Sequence, residues 1–271
     1  MKAIINETHQ VERLHLTHPY KIIEAAGRLC YKSKTQGLEP FRFIKSRIEE
    51  GHESIIEHAW WRTDRKFATF DHLFGSYTDG ESNWVNARTI RDALREDEKN
   101  AVYYFQSIIQ DFPVLFSDLI TMELPEGDPV IRWTFGDDVG CFFITTTRDI
   151  SHQLVRHRTL SVSQESQRWV AYTKFDELEF ILSTHMGLSS TERMVITEHL
   201  DSVANLYELL MNKGLKPEWA RKILPNCTQT TLIMSAPRPI WDKFFALRVD
   251  SHAQPDMYSL AAEMKNAIYP Q

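Results

Sequence analysis

The chain has 271 residues, 42% hydrophobic and 25% charged, which is the balance of one globular domain with room for an insertion. A formal net charge of −6 argues against a whole-protein nucleic-acid footprint, because such binders carry a basic face; any anion has to be met by a local site. No run approaches the roughly 18 apolar residues of a membrane helix, and MKAIINETHQVERLHL lacks a signal-peptide core, so a cytoplasmic chain is expected.

Residues 19–30, PYKIIEAAGRLC, predict a helix with Pro19 in its first turn and Ile22, Ile23, Ala26 and Leu29 on one stripe. A second helix is expected over 40–50, with Phe41, Ile44 and Ile48 inward and Gly51 as its stop. In GHESIIEHAWW, Ser54 and Glu57 fit a capping box, so a short helix is expected to begin near Ile55. VNARTIRDALREDEKNAVYYFQSIIQDF has helical periodicity broken at its charged centre, and IRWTFGDDVGCFFITTT reads as two strands around a Gly-Asp-Asp turn.

Asp149 or Ser151 could cap a helix through ISHQLVRH, which would present Gln153, Arg156 and His157 within an arc of about 100°. The clearest helix is 191–213, where Ile196, Leu200, Val203, Tyr207 and Leu210 recur at spacings of three and four before Gly214. KPEWARKILP predicts a short helix, TTLIMSA a strand, PRPIWDKFFALRVDSHAQ a turn and then a helix, and 257–268 a last helix. On that helix Arg248 and His252 would face the same way, four residues apart.

Chemistry concentrates in 156–168, RHRTLSVSQESQR. Arginine offers a planar fork of donors for phosphate or carboxylate, and serine and glutamine add neutral donors and acceptors. Three readings fit that composition: a phosphorylated small molecule, a solvated charged helix end, or a nucleic-acid contact. His52 and His58 are six positions apart, about 120° around one helix, so they would not chelate one metal ion; no metal is expected. Cys30, Cys141 and Cys227 form no CxxC pair and fit reduced usage. Cys227, in LPNCTQ, is open to reading as a nucleophile or as a small buried residue. Neither GxGxxG nor a Walker A pattern appears.

Six segments, taken in order, resemble the flavin-dependent thymidylate synthases: AAGRLCYKS, GHESIIEHA, SHQLVRHR, RHRTLSVSQESQR, ARKILPN and LRVDSHAQ. The family's hallmark is RHR, about seven residues, then serine, and here Arg156, His157, Arg158 and Ser166 supply it. The resemblance implies an α+β fold with a mixed sheet flanked by helices, and a single catalytic domain over 1–271. It implies methylation of dUMP to dTMP, with methylenetetrahydrofolate as carbon donor and FAD, reduced by NADPH, as hydride source. It also implies a homotetramer whose active sites are shared between subunits. By matched position, Gln153, Arg156 and Arg221 contact dUMP, and Gln164, Glu165, Ser166, Gln167 and Arg168 hold it from a neighbouring subunit. Ser54, Arg156, His157, Arg158, Thr159 and Gln164 line the FAD site, with His252 beside the flavin. Arg248 matches the arginine that polarises the uracil ring.

Two departures stand out. The family carries an asparagine and an arginine for FAD where SAPRPIWDKFF has Pro237 and Pro239, and proline lacks an N–H. The stretch at about 64–147 is also longer than in compact members; its Asn86 and Arg88 could stand in for the lost contacts. The rival readings are a catalytically impaired nucleotide-binding protein of the same fold and a cysteine-dependent enzyme using Cys227.

Overall fold

In a computed structural model, the described residues are 1–33, 39–64, 70, 72–73, 75–125 and 127–270. Ten strands and nine α-helices are defined among them. The α+β expectation holds, and the strands divide into three sheets. β1 (Lys2–Asn6) pairs parallel with β9 (Glu177–Ile181). A four-stranded antiparallel sheet runs β2 (Gln10–Arg13), β7 (Val139–Thr147), β10 (Gln229–Pro237), β8 (Ser161–Gln164). A second antiparallel sheet runs β4 (Ser76–Thr78), β5 (Asn83–Asn86), β3 (Trp60–Thr63), β6 (Trp133–Phe135). The two strands expected around Gly-Asp-Asp are present as β6 and β7. They do not pair with each other; Gly136 (φ 68) and Asp138 (φ 57) send the chain from one sheet into the other.

The helices are α1 (Pro19–Tyr31), α2 (Pro40–Glu49), α3 (Ala87–Glu96), α4 (Glu98–Asp111), α5 (Arg148–Leu154), α6 (Ser190–Asn212), α7 (Pro217–Ala220), α8 (Arg238–Arg248) and α9 (Pro255–Ile268). On α2, Ile44 and Ile48 are buried as the spacing predicts, whereas Phe41, on the same stripe but in the first turn, is exposed. α6 begins at Ser189, whose hydroxyl accepts from the Glu192 N–H while the Glu192 carboxylate accepts from the Ser189 N–H.

Two capping expectations fail for an identifiable reason. Residues 53–58 form a 3₁₀ helix with His52 as its cap, not Ser54, which is exposed. The helix starts two residues earlier than expected, and its first residue, Glu53, is held inward by arginines of α3. α5 is preceded by Thr147, and neither Asp149 nor Ser151 caps it. The Arg148 and Asp149 N–H groups instead donate to the carbonyls of Thr228 and Asn226, so a distant loop does what a side-chain cap would do.

Apolar burial follows the sheets. One core joins α1–α4 to the sheet holding β3 and β5, with Trp61, Phe70, Phe105 and Phe116 fully buried. A second lies between the β7–β10 sheet and α8 and α9, around Phe142 and Trp241. Gly140 on β7 is held to glycine by that packing: a Cβ there would sit 2.7 Å from Trp241 Nε1 and 2.8 Å from Ile268 Cδ1.

Candidate active site

The site assembles where the 3₁₀ helix, the end of α5, β8, β10 and the end of α8 meet. The fully buried His58 is the seam. Its Nδ1 lies 2.9 Å from Ser235 Oγ on β10 and its Nε2 lies 3.0 Å from Ser163 Oγ on β8. Burial pushes its pKa down to about 3, so the ring is neutral and serves as a hydrogen-bonding bracket. Ser161 Oγ donates to the Glu57 carbonyl at 2.8 Å, a second tie between the same two elements.

α5 ends at Leu154, so Arg156 and His157 do not share a helical face with Gln153; they lie in the turn that follows. Arg156, Arg158 and Thr159 are exposed there and His157 is half-buried. Neither Arg156 nor Arg158 has a carboxylate partner among the described residues. His157 Nε2 accepts from Arg248 Nε at 2.9 Å, and its ring meets Phe244 edge-on, centroids 4.8 Å apart. Burial and then the Arg248 charge lower the imidazole pKa to about 4.

Gln153 Nε2 donates to Gln254 Oε1 at 2.8 Å, bridging α5 to the start of α9. Gln164 Nε2 donates to Ser151 Oγ at 2.8 Å and to Thr230 Oγ1 at 3.3 Å, so its amide nitrogen is occupied and its oxygen is what it can offer a ligand. Gln164 lines an open-sided cavity of about 470 Å³ with Glu57, Val155, Arg158, Leu160 and Val162. Apolar walls with a guanidinium, an amide and a carboxylate suit a flat heterocycle bearing polar edges. Glu57, which the motif pattern did not single out beyond capping, has its pKa raised, chiefly by burial.

The run 165–168 behaves less uniformly than its composition suggests. The Glu165 side chain is turned inward, 1% exposed. Its Oε2 meets Lys32 Nζ and Thr231 Oγ1, each at 3.3 Å, while Oε1 is buried without a hydrogen-bond partner among the described residues. Ser166 Oγ accepts from the Arg168 N–H at 3.3 Å, and the Ser166 N–H donates to the Cys30 carbonyl. Gln167 Nε2 is buried without a hydrogen-bond partner among the described residues. Arg168 is exposed, stacks over Trp169 and approaches Glu218 Oε2 at 3.4 Å, which places it near Arg221 at the end of α7. Arg221 is exposed and has no carboxylate partner among the described residues.

Four residues expected at the site are placed apart. Ser54 is exposed on the 3₁₀ helix with no bond to the turn at 156–158. His252 does not share a face with Arg248: α8 ends at Arg248, and the His252 ring turns out to solvent, 94% exposed, with Nδ1 2.8 Å from Asp250 Oδ1. Asn86 is buried as the cap of α3, its Oδ1 accepting from the Thr89 N–H at 2.9 Å, and Arg88 pairs with Asp92 and Glu53. Both are occupied structurally.

Pro237 closes β10 opposite Val139 and Arg238 meets Asp138 through Nε at 2.8 Å, so neither proline supplies an N–H in the place of the family's asparagine and arginine, and the charge of the arginine between them is offset by an acid. Lys32 and Ser163, which hold Glu165 and His58 in place, lie within two of the resembling segments without standing out there, and Thr231 on β10 carries no motif signal. All three thiols have their pKa raised, first by burial, which disfavours a thiolate nucleophile at Cys227.

Of the exposed arginines without a carboxylate partner among the described residues, Arg158 lines the half-apolar cavity and Arg156 lies two residues before it in the same turn. Residues 140–271 match the family model described as thymidylate synthase complementing protein. The chain is 35% identical over 122 residues to a flavin-dependent thymidylate synthase of Geobacter sulfurreducens, covering 45% of this chain and 52% of that one. To those of Clostridium tetani and Mycobacterium tuberculosis it is 28% and 30% identical over 138 residues, covering 45% of this chain and 54% of each relative. It thus spans about half the length of the curated relatives it matches, and the match to the family model lies in its C-terminal half. A crystal structure of the UMP/dUMP methylase PolB from Streptomyces cacaoi, bound with 5-Br UMP, superposes with a TM-score of 0.47 at 14% identity, covering 98% of this chain and 91% of that one. No helix among the described residues is long and apolar enough to cross a membrane.

Proposed function

We propose that the chain is a flavin-dependent thymidylate synthase that converts dUMP to dTMP in the cytoplasm, with methylenetetrahydrofolate as carbon donor and NADPH as reductant of FAD. The observation that carries this reading is the set of exposed guanidinium groups on Arg156, Arg158 and Arg221 with no carboxylate partner among the described residues, all inside the stretch that matches the family. Arg13, Arg42 and Arg132 are also exposed without a carboxylate partner among the described residues, so it is their place inside that stretch that singles out Arg156, Arg158 and Arg221.

In this reading Arg156, Arg168 and Arg221 meet the dUMP phosphate and sugar by charge-assisted hydrogen bonds, with Ser166 adding a hydroxyl. Gln153 and Gln164 offer amide groups to the base, and Arg248 stabilises negative charge developing on the uracil ring. Arg158, Thr159 and the apolar walls Val155, Leu160 and Val162 would hold the flavin, which when bound supplies the hydride. Exclusion of water by those walls strengthens each charge interaction. The clamp at 166–168 would serve a neighbouring copy in a homotetramer. The exposed Trp169 and Trp219 beside it, 57% and 55% accessible, are apolar surface that such an assembly would cover.

A second reading, nucleotide binding without turnover, is favoured by Pro237 and by the Arg238–Asp138 pair, which leave the FAD contacts of the family unmatched. One preparation separates the two. The synthase reading requires a flavin spectrum bleached by NADPH and tritium release from 5-labelled dUMP that survives Cys227→Ala. Binding of dUMP without FAD uptake or release leaves the second reading. A protein that binds neither ligand refutes both.

A further inference from the structure

Arginine has five N–H donors, one on Nε and four on the two terminal nitrogens. In Arg248 the Nε–H donates to His157 Nε2 at 2.9 Å, while the terminal nitrogens have no hydrogen-bond partner among the described residues. We propose that His157 is a positioning residue for Arg248: its Nε2 fixes the root of the guanidinium and leaves both terminal nitrogens aimed as a fork at an anionic or carbonyl-bearing ligand.

The inference rests on the functional reading above only for the identity of that ligand, the uracil ring of dUMP. The bond itself fixes the chemistry of the ring. A nitrogen that accepts from Nε–H carries no proton, so neutral His157 is the Nδ1–H tautomer. Phe244 and Arg248 are four residues apart on α8, and they grip the imidazole from one helix face, Phe244 by its ring and Arg248 by its Nε–H. His157 belongs to the turn after α5, so the bond fastens the arginine-rich turn to the helix that carries the polarising cation.

The choice of partner matters. A carboxylate in this place would hold Arg248 equally well but would neutralise it. A neutral imidazole orients the cation and leaves its full charge for the ligand. The charged groups nearest His157 are Arg248 and its chain neighbours Arg156 and Arg158, and no carboxylate bonds to His157 or Arg248 among the described residues. Burial and the adjacent cation keep the ring neutral at ordinary pH.

Three measurements test this. Ring ¹⁵N shifts of the purified protein, without dUMP, should show His157 with Nδ1 protonated and Nε2 bare; an Nε2–H tautomer overturns the proposal whatever the enzyme does. Calorimetric titration with dUMP should show His157→Leu binding about tenfold to 100-fold more weakly than wild type, the range for losing a hydrogen bond to a charged group. His157→Gln, which keeps an acceptor near the Nε2 position, should recover most of that loss. In an Arg248→Met background, His157→Leu should cost nothing further. Equal losses in the Leu and Gln variants, or additive losses with Arg248→Met, would reduce His157 to a packing residue. If wild type itself fails to bind dUMP, the functional reading falls, and the tautomer measurement still decides the bond.

Discussion

Two groups of arginines in the molecule are used in opposite ways. In α3, Arg88, Arg91 and Arg95 converge on Glu53, with Asp92 and Asp118 closing the network; Arg91 is 1% exposed and bonds two carboxylates and the Leu115 carbonyl. Burial alone would raise the Glu53 pKa, but the hydrogen bonds from Arg95 and Arg91 outweigh it and hold the carboxyl below its usual range. In the C-terminal half, Arg156, Arg158 and Arg221 stand exposed without acids among the described residues. Charge that is paired and buried shapes a fold, whereas charge left unpaired at a cavity rim is available to a ligand.

That contrast can be broken first at the seam between the halves. His58 is neutral in the fold at pH values where the unfolded chain already takes up a proton, because its pKa falls from 6.5 to about 3. Stability present above pH 6.5 should therefore be lost as pH falls toward 3, by roughly 4 kcal/mol from this group. Urea midpoints measured against pH should show it, and His58→Asn should flatten that limb.

Arg91→Met should destabilise by about 3 kcal/mol, since it strands part of a buried network, while leaving dUMP affinity unchanged. Arg221→Ala should do the reverse, weakening dUMP binding by about 1.5–3 kcal/mol with an unchanged thermal midpoint. A matched loss of stability in Arg221→Ala would erase the distinction. Asn86→Ala should cost about 1 kcal/mol as a lost helix cap, with FAD affinity intact; a fall in FAD affinity would give Asn86 a ligand role after all. Glu218→Ala removes an exposed pair with Arg168 and should change stability by less than about 0.5 kcal/mol.

Much of this was legible in the sequence, because helices α1, α2, α4 and α6 announce themselves by apolar spacing and by Pro or Gly at their ends. The candidate site residues of 153–168 stand out in the sequence as a polar, arginine-rich run. What was not legible depends on partners far away in the chain. The caps of α5 come from the carbonyls of Thr228 and Asn226, and the neighbours of β6 and β7 lie in different sheets. Glu165 and Ser166 are adjacent in the run, yet Thr231 and Lys32 draw one of them inward. The four-residue spacing of Arg248 and His252 implied a shared face, but α8 stops between them.

The raised pKa of all three thiols, one of them fully buried and two partly so, has a practical side. Cys30, Cys141 and Cys227 all have raised pKa values, so each is mostly the unreactive thiol near neutral pH. A single cysteine introduced at the exposed Trp169 or Trp219 would then react ahead of the native three. The chain needs no cysteine-free background before a fluorophore or spin label is set beside the clamp at 166–168 to report on whether a second copy closes over it.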